Sequence, residues 1–357
     1  MGFEKSGFEV VFANEIHRPF LEAYSYSRRK MGIDTPKYGL SNTDISSLQD
    51  SDEFTALVQK EITRNAIVGF IGGPPCPDFS VGGKNRGQAG ENGRLSETYV
   101  NLICDQKPHF FLFENVKGLY RTRKHREFFE RLKKKLDHFY HLDERLINAL
   151  EYGAPQDRDR IILVGYRRDS FSASKMDWGR RPYPGRSGFA FDWPKTSPFY
   201  PRKSVPIPNN IPLELTVQHW FERNDVENHA NAKHHFIPRA ALPKFKVIDE
   251  GDDKKKSYKR LHRWRYSPTA AYGNNEVHLH PYKARRLSAS EALAIQSLPK
   301  EYEFPAEMTL SNMFKCIGNG VPFLAAKGLA ASVKGHIEEN YETHSKQSSL
   351  RNQSTAA

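Results

Sequence analysis

The fold is decided by Phe70-Ile71-Gly72-Gly73-Pro74-Pro75-Cys76-Pro77-Asp78-Phe79-Ser80, where a short apolar run leads directly into a turn of glycines and prolines. The glycines allow other groups to approach the backbone, and the prolines fix φ just before the thiol. Cys76 would then stand at the carboxyl end of a strand, where open α/β sheets bind their ligands. Free cysteines are usually buried and inert. A cysteine between prolines has little structural use, so the segment favours a nucleophile.

The sequence around this segment alternates short β-branched or aromatic runs with amphipathic stretches, which is typical of an α/β domain. The pattern predicts strands at 8–13, 66–71, 110–113 and 160–164, and helices at 19–30, 53–62, 94–104 and 125–136, the last of them basic. We therefore expect a parallel, doubly wound sheet.

The pattern of residue types changes after about residue 166. The stretch 182–212 is dense in Pro, Gly, Ser and aromatic residues and has no helical period, so it predicts a second, irregular domain. Helices return at 288–296, where Ser288 and Glu291 form a capping-box pattern, and at 322–333. The polar end of the chain is predicted to be disordered.

Composition narrows the function. The 357 residues include 54 Lys+Arg and 42 Asp+Glu, a formal net charge of +12, which makes polyanions plausible partners. Seven of the twelve residues at 254–265 are basic, although a solvated loop would explain that run equally well. The three cysteines form no C-x-x-C pair, so a structural zinc site is not expected. We find no signal peptide and no membrane-spanning window, and we expect a cytoplasmic protein without a metal.

Two further motifs carry chemistry. Glu114 ends an apolar strand, where partial desolvation would keep its carboxyl group protonated and allow it to act as an acid near neutrality. The alternative for this motif is a helix N-cap at Asn115. Gln156, Arg158 and Arg160 alternate along an extended segment, although surface salt bridges with the intervening aspartates would also explain them.

These motifs resemble the cytosine-5 DNA methyltransferases of bacterial restriction-modification systems. Residues 72–76 are similar to the family's nucleophile motif, 114–116 to Glu-Asn-Val, and 156–160 to Gln-x-Arg-x-Arg. Residues 285–299 and Gly318-Asn319-Gly320-Val321-Pro322 resemble the last two motifs. One match would be weak, but five in the family's order, covering nearly the whole chain, are specific.

The resemblance implies a Rossmann-like S-adenosylmethionine-dependent methyltransferase sheet with a smaller irregular target-recognition domain. It also implies methyl transfer to carbon 5 of a flipped cytosine in duplex DNA, with S-adenosyl-L-methionine as cofactor. The implied catalytic residues are Cys76, Glu114, Arg158 and Arg160. The implied cofactor-binding residues are Glu15, Asp44, Pro75, Asn319 and Val321. The DNA-binding residues that we expect are Ser80, Lys84, Lys259, Arg260, Arg263 and Arg265.

The resemblance also suggests a division of the chain. We expect a catalytic and cofactor-binding domain at 1–168, a target-recognition domain at 169–284, a return to the catalytic domain at 285–343 and a disordered tail at 344–357. Family members begin with a strand and an Asp-Leu-Phe-x-Gly-x-Gly-Gly loop, and this sequence begins with the helix that follows it. Weak cofactor binding is therefore expected unless a separate N-terminal fragment supplies that loop. A restriction endonuclease is the expected functional partner.

Three other functions remain open at this point. The protein would be a catalytically silent or split DNA-binding remnant if the Gly-rich loop is indispensable. It would be an RNA-directed relative if its substrate is transfer RNA, although the long recognition span favours duplex DNA. A cysteine-dependent hydrolase is the remaining alternative, and no histidine motif supports it.

Overall fold

The computed structural model describes residues 1–74, 91–179, 181–201, 205–254, 257–270, 272 and 278–341, and its elements follow the predicted alternation. In chain order they are β1 (Ala13–Asn14), α1 (Arg18–Lys30), β2 (Leu40–Ser41), α2 (Ile45–Gln49), α3 (Asp52–Thr63), β3 (Gly69–Gly72), α4 (Glu91–Gln106), β4 (Phe110–Val116), α5 (Arg123–Asp137), β5 (Tyr140–Asn148), β6 (Asp159–Arg167), α6 (Val217–Arg223), α7 (Leu242–Phe245), β7 (Lys259–Arg260), β8 (His278–Leu279), α8 (Ala289–Ile295), α9 (Leu310–Asn319) and α10 (Phe323–Asn340). The predicted strand at 8–13 is reduced to the two residues of β1.

The chain divides into two units. The first unit contains Met1–Asn42, Asn148–Arg158 and Arg180–Ala330, and the second contains Thr43–Ile147, Asp159–Gly179 and Ala331–Ala357. These boundaries differ from the functional boundaries at 168 and 284, which stay predictions. The predicted tail at 344–357 lies outside the described residues.

The second unit is built on a sheet with the strand order β3-β4-β6-β5. Strand β3 is parallel to β4, whereas β6 is antiparallel to β4. The α/β class is confirmed, but the prediction of a wholly parallel sheet is wrong. Strand β6 also neighbours β5, and only ten residues connect them. This connection is too short for the crossover that parallel neighbours need, so β6 reverses direction.

Strand β4 is buried on both faces. Phe111 and Phe113 pack in one cluster with residues of α4 and α5, such as Ile103 and Phe129. Phe110 alternates to the opposite face and is also buried. Burial on both faces explains why the strand reads as an uninterrupted apolar run in the sequence.

The neighbours of β4 carry glycine where its rings lie. Gly69 pairs with Phe110 and Gly165 pairs with Phe111. A Cβ at Gly69 would lie 2.0 Å from the ring of Phe110, and a Cβ at Gly165 would lie 2.1 Å from the ring of Phe111. Real Cβ atoms never approach so closely, so both glycines are required by packing.

Helices α1, α8 and α9 share an apolar cluster in the first unit that includes Ala23, Leu293 and Phe314. The predicted capping box of α8 is confirmed, since Ser288 and Glu291 exchange hydrogen bonds with each other's backbone N–H groups. Burial opposes ionisation of Glu291, but His280, Arg285 and the Ser288 N–H outweigh it and hold the pKa of Glu291 at about 2.

Regular structure is sparse between residues 169 and 284, as predicted. In the described part of that span, the α-helices and strands are α6, α7, β7 and β8, and there are 3-10 turns at Ser187–Phe189 and Leu213–Leu215. Residues 310–340 have the length and apolar composition of a membrane span, although we expected none. Core helices meet the same criteria, and here α9 and α10 are separated by Gly320-Val321-Pro322.

We predict that Gly165→Ala lowers the free energy of unfolding by about 1–3 kcal/mol, because the new methyl group must displace the buried Phe111 ring. Gly335→Ala in α10 is the matched control, since a Cβ there meets no atom within 4 Å. It should raise the free energy by up to about 1 kcal/mol through helix propensity. Urea unfolding measures both, and equal effects of the two substitutions would contradict the packing role of Gly165.

Candidate active site

Strand β4 ends in a carboxylate that is held by an arginine of β6. Val116 pairs with Arg160 in the antiparallel ladder. Glu114 lies two residues before Val116 on the same face of β4, so its side chain is near that of Arg160. Arg160 Nε lies 2.6 Å from Glu114 Oε1, and both side chains are about seven-eighths buried, with 13% and 15% exposed. Arg160 Nη1 donates to the backbone oxygen of Asp159 at 2.7 Å. Two motifs that are distant in the sequence therefore meet where β4 ends and β6 begins.

The other carboxylate oxygen of Glu114 lies over the Gly-Gly-Pro turn. A Cβ at Gly73 would be 2.7 Å from Glu114 Oε2, so the carboxylate occupies the space that a side chain would fill. Gly72 has a different reason to be glycine, because its Cβ would lie 2.5 Å from the buried ring of Tyr99. Gly72 thus serves packing, and Gly73 leaves room for Glu114.

Several predicted site residues lie outside the described residues. They are Pro75, Cys76, Ser80 and Lys84. The described segment ends at Pro74, two residues before Cys76. Glu114 is therefore placed directly against the backbone that leads to the predicted nucleophile.

Asn115 is not a helix N-cap. The cap of the following 3-10 turn, Lys117–Tyr120, is Val116, and no side chain bonds to that turn's N–H groups as a cap. The Asn115 amide is buried, and its Oδ1 accepts from the N–H of Val116 at 2.8 Å. The N-cap alternative is therefore wrong.

Arg158 is buried in the first unit, where it binds backbone oxygens. Its Nη1 donates to Ala270 O at 3.1 Å and its Nη2 donates to Gly318 O at 2.7 Å. Its side chain is 1% exposed. This placement corrects the expectation that Arg158 is a catalytic residue, because its side chain is buried and both terminal nitrogens donate to backbone oxygens. It also excludes the surface salt bridges considered above for Arg158.

Two glutamines complete the network around Arg158. Gln156 Oε1 accepts from Ala270 N at 3.1 Å, and Gln156 Nε2 donates to Gln296 Oε1 at 3.2 Å. Gln296 Nε2 donates in turn to Ile317 O and Gly320 O. The network ties three of the sequence motifs together, and the sequence analysis did not assign this role to Gln156 or Gln296. For Gln296 the available signal was an amide within the apolar run 292–298, whereas Gln156, between Pro155 and Asp157, offered no such signal.

The first unit also contains Glu15, Asn319 and Val321. Glu15 follows β1, and its Oε1 accepts from His17 N at 2.8 Å. Burial, reinforced by the Glu15 carboxylate, raises the pKa of the Cys316 thiol to about 12. Glu15 is therefore near α9, the helix that Asn319 ends. Ile16, next to Glu15 in the sequence, is 60% exposed.

Asp44 belongs to the second unit and caps α2. Its Oδ1 accepts from Ser46 Oγ at 2.6 Å and from Ser46 N at 2.8 Å. These two bonds hold the pKa of Asp44 below its usual value. Asp44 is thus a fixed, ionised acceptor.

Most of the basic residues expected to contact DNA at 259–265 are used within the fold. Arg260 is 0% exposed and donates to four backbone oxygens, those of Phe245, Ile248, His280 and Lys283. Arg263 forms a buried, bidentate pair with Glu250 at 2.8 and 2.9 Å. Arg265 donates to Gly251 O and to Asp253.

This placement corrects the expected DNA role of Arg260 and Arg263. A phosphate contact needs an exposed guanidinium, and Arg260 and Arg263 do not present one. Lys259 is half-buried, so it stays a prediction.

Proteins of one family match this chain over most of its length. Residues 1–335 match the family model of the C-5 cytosine-specific DNA methylases. The chain is 60% identical over 348 residues to Type II methyltransferase M.NmeDI of Neisseria meningitidis serogroup C, which covers 96% of this chain and 82% of that protein. It is 27% identical over 351 residues to Type II methyltransferase M.NgoPII of Neisseria gonorrhoeae, covering 95% and 92%. Its fold is similar to the S. pombe Dnmt2 methyltransferase structure, with a TM-score of 0.59, 13% identity and coverage of 95% and 94%.

We predict that the two arginines of residues 158–160 differ in their effect on stability. Arg158→Met should lower the free energy of unfolding by about 2–5 kcal/mol, since it leaves buried carbonyl oxygens without donors. Arg160→Met is the matched control and should cost less, because only one backbone oxygen, that of Asp159, loses a donor, and the Glu114 carboxylate is 15% exposed. Urea unfolding compares them. A larger loss for Arg160→Met would contradict the assignment of Arg158 as the structural member.

Proposed function

Because the chain belongs to the C-5 cytosine-specific DNA methylases and is a DNA cytosine-5 methyltransferase of the Type II restriction-modification class, we propose that it methylates a cytosine rotated out of a specific duplex site, with S-adenosylmethionine as the donor. The observation that carries this proposal is the position of Glu114, which is paired with Arg160 and lies against Gly73. This arrangement places a carboxyl group and a cation beside the chain that leads to Cys76.

The chemistry requires a nucleophile, because carbon 5 of cytosine is a poor nucleophile on its own. The Cys76 thiolate adds to carbon 6, and the C5–C6 double bond supplies the electrons that make carbon 5 reactive. S-adenosylmethionine, when bound, supplies an electrophilic methyl group. Loss of the carbon 5 proton to a base then expels the Cys76 thiolate and restores the ring.

Glu114 acts at ring nitrogen 3 in this proposal. Negative charge develops on the ring as the thiolate adds, and a proton or hydrogen bond from the Glu114 carboxyl group at nitrogen 3 stabilises it. Arg160 holds the carboxyl group in place through Nε. Its Nη2 has no bond to another described residue, so it is the nitrogen that would donate to the carbonyl oxygen of the base. Arg158 acts at a distance, as a positioning residue.

The base must leave the duplex to reach these groups. A thiol at the edge of a sheet cannot attack a stacked base, so the target is rotated into the site at the cost of its pairing and stacking. We propose that Ser80 and Lys84 contact the DNA around the rotated base and that residues 169–284 read the sequence. A cognate restriction endonuclease is the functional partner, and a cytoplasmic location follows from the DNA substrate.

The described residues fit the proposed cofactor by their chemistry. Glu15 is a carboxylate suited to the ribose hydroxyls, and exposed Ile16 beside it offers an apolar surface to a purine. Asp44 is an ionised acceptor suited to the adenine amine. Pro75, Asn319 and Val321 complete the proposed cofactor residues.

We predict that Cys76→Ser abolishes methyl transfer and leaves duplex binding nearly intact, because a hydroxyl is far less acidic than a thiol. Cys104→Ser is the matched control, since this cysteine is buried in the apolar core of the second unit. It should retain activity. Mass spectrometry of duplex DNA incubated with protein and S-adenosylmethionine measures transfer.

A second readout uses DNA that carries 5-fluorocytosine. It should trap a covalent adduct with the wild type and with Cys104→Ser, but not with Cys76→Ser. Equal transfer by wild type and Cys76→Ser would remove Cys76 as the nucleophile.

We further predict that Gly73→Ala lowers kcat by about 100-fold, because the new methyl group displaces the Glu114 carboxylate and misplacements of about 1 Å have effects of this size. The free energy of unfolding should change little, since the displaced atom is the end of a side chain. Gly335→Ala serves again as the control. Full activity of Gly73→Ala would show that the position of Glu114 is not critical.

A further inference from the structure

Positive charge is dense in helix α5 and the two residues before it. Residues 121–137 contain eight Lys and Arg against two Glu and one Asp, so 17 residues contribute +5 to the formal net charge of +12. The proposed function does not use any of these side chains. Most of them are exposed, namely Arg121, Arg123, Lys124, Arg126, Arg131, Lys134 and Lys135, and we call this set the α5 basic face.

The opposite face of α5 is buried in the apolar core. Phe128, Phe129, Leu132 and Leu136 are buried in the main cluster of the second unit. The helix is therefore fixed in orientation, and its basic side chains cannot turn inward. The amphipathic pattern accounts for the buried face, but it does not require that the exposed face be so strongly basic.

Ion pairs with acidic side chains of the protein neutralise little of the charge on the α5 basic face. Arg123 pairs with Glu127 at 2.7 Å, but these side chains are 92% and 57% exposed, and such pairs contribute little. Among the described residues, no acidic side chain pairs with Arg121, Lys124 or Arg126. The arginines of 259–265 differ in this respect, because their donors are bonded within the fold.

The charges also oppose the helix dipole. The first turn contains Arg123, Lys124 and Arg126 and no acidic residue, although a helix N-terminus favours negative charge. Thr122 caps the N–H of His125 at 3.2 Å, and the exposed side chains around this end of the helix are basic. Cations in this position destabilise the free helix, and such local conflicts are expected where a surface has a function.

The helix begins beside the proposed active site. Glu114 and α5 belong to the same unit, and the 3-10 turn Lys117–Tyr120 joins β4 to the helix. His125 Nδ1 lies 3.1 Å from Gly118 O, which fastens the first turn of the helix to that joint. Arg121 and Lys124 are thus held near the carboxyl end of β4, and the helix extends about 18 Å from Arg123 to Lys135 at 1.5 Å per residue.

We propose that the α5 basic face is a second DNA-binding surface, which contacts phosphates of the duplex outside the recognised site. The inference rests on the proposed function for the identity of the polyanion. Such contacts position the duplex without reading its sequence. They would make the enzyme favour target sites within long DNA.

The test compares two double charge reversals with the same change in net charge. Arg121→Glu/Lys124→Glu alters the end of the face nearest the proposed active site. Lys300→Glu/Lys327→Glu is the control, since these lysines are exposed and lie outside α5. The first variant should fold at least as well as the wild type, because acidic residues near a helix N-terminus interact favourably with the dipole. Urea unfolding checks this point.

DNA binding is measured by fluorescence anisotropy over a range of salt concentrations. Sequencing of methylated plasmid DNA first maps the site, and two duplexes are then compared, one that ends at the site and one that extends beyond it on both sides. For the extended duplex, Arg121→Glu/Lys124→Glu should lower the slope of log K against log salt by about 2, since each phosphate that the protein no longer neutralises accounts for about 0.9. Its KM should rise on the extended duplex only, with kcat unchanged.

The outcomes separate the two proposals. If the wild type methylates DNA but both double variants keep its salt slope and KM on the extended duplex, the DNA-binding surface is overturned, and the face would instead suit an acidic protein. Equal losses in both double variants would overturn it as well, because they would reflect net charge alone. If the wild type binds DNA without methylating it, the proposed function fails, while the salt slopes still decide whether α5 contacts DNA.

Discussion

Close packing around strand β4 is the constraint on which the proposed active site depends. The rings of Phe110 and Phe111 occupy the space above Gly69 and Gly165, so β4 fits between β3 and β6 only because both neighbours lack a side chain there. The register that results brings Glu114 to Arg160 on one side and to Gly73 on the other. An error of one residue in this register would turn Glu114 to the opposite face of the sheet.

The motifs that suggest catalysis also hold the fold together. Gln156, Arg158 and Gln296 form a buried polar network that binds the backbone around Ala270 and Gly318. A buried guanidinium is costly unless it is hydrogen-bonded, and here two backbone oxygens accept from Nη1 and Nη2 of Arg158. One motif therefore serves two physical roles. Arg158 stabilises the fold, and Arg160 holds Glu114 at the proposed active site.

The basic residues also fall into two groups, one bonded within the fold and one exposed to solvent. Both the segment 254–265 and helix α5 are rich in basic residues, yet the arginines of the first are bonded within the fold, whereas those of the second face solvent. Arg260 is fully buried, and its desolvation lowers the pKa to about 10 even though Glu250 and Asp249 oppose the shift. Net charge therefore indicates that a polyanion is a plausible partner, but the surface that meets it depends on which side chains remain exposed.

The sequence by itself determined the α/β class, most helices of the second unit, the capping box of α8 and the family, because these depend on local periodicity, local hydrogen bonds or short motifs. Only the tertiary structure decided that β6 runs antiparallel, that Asn115 is not a cap, that Gly73 makes room for Glu114, and that Arg158 and Arg260 are structural. Except for Asn115, which binds the N–H of its neighbour Val116, each of these depends on groups far apart in the chain. The same residue type binds a phosphate when it is exposed and a carbonyl oxygen when it is buried, and burial is a property of the assembled fold rather than of any segment.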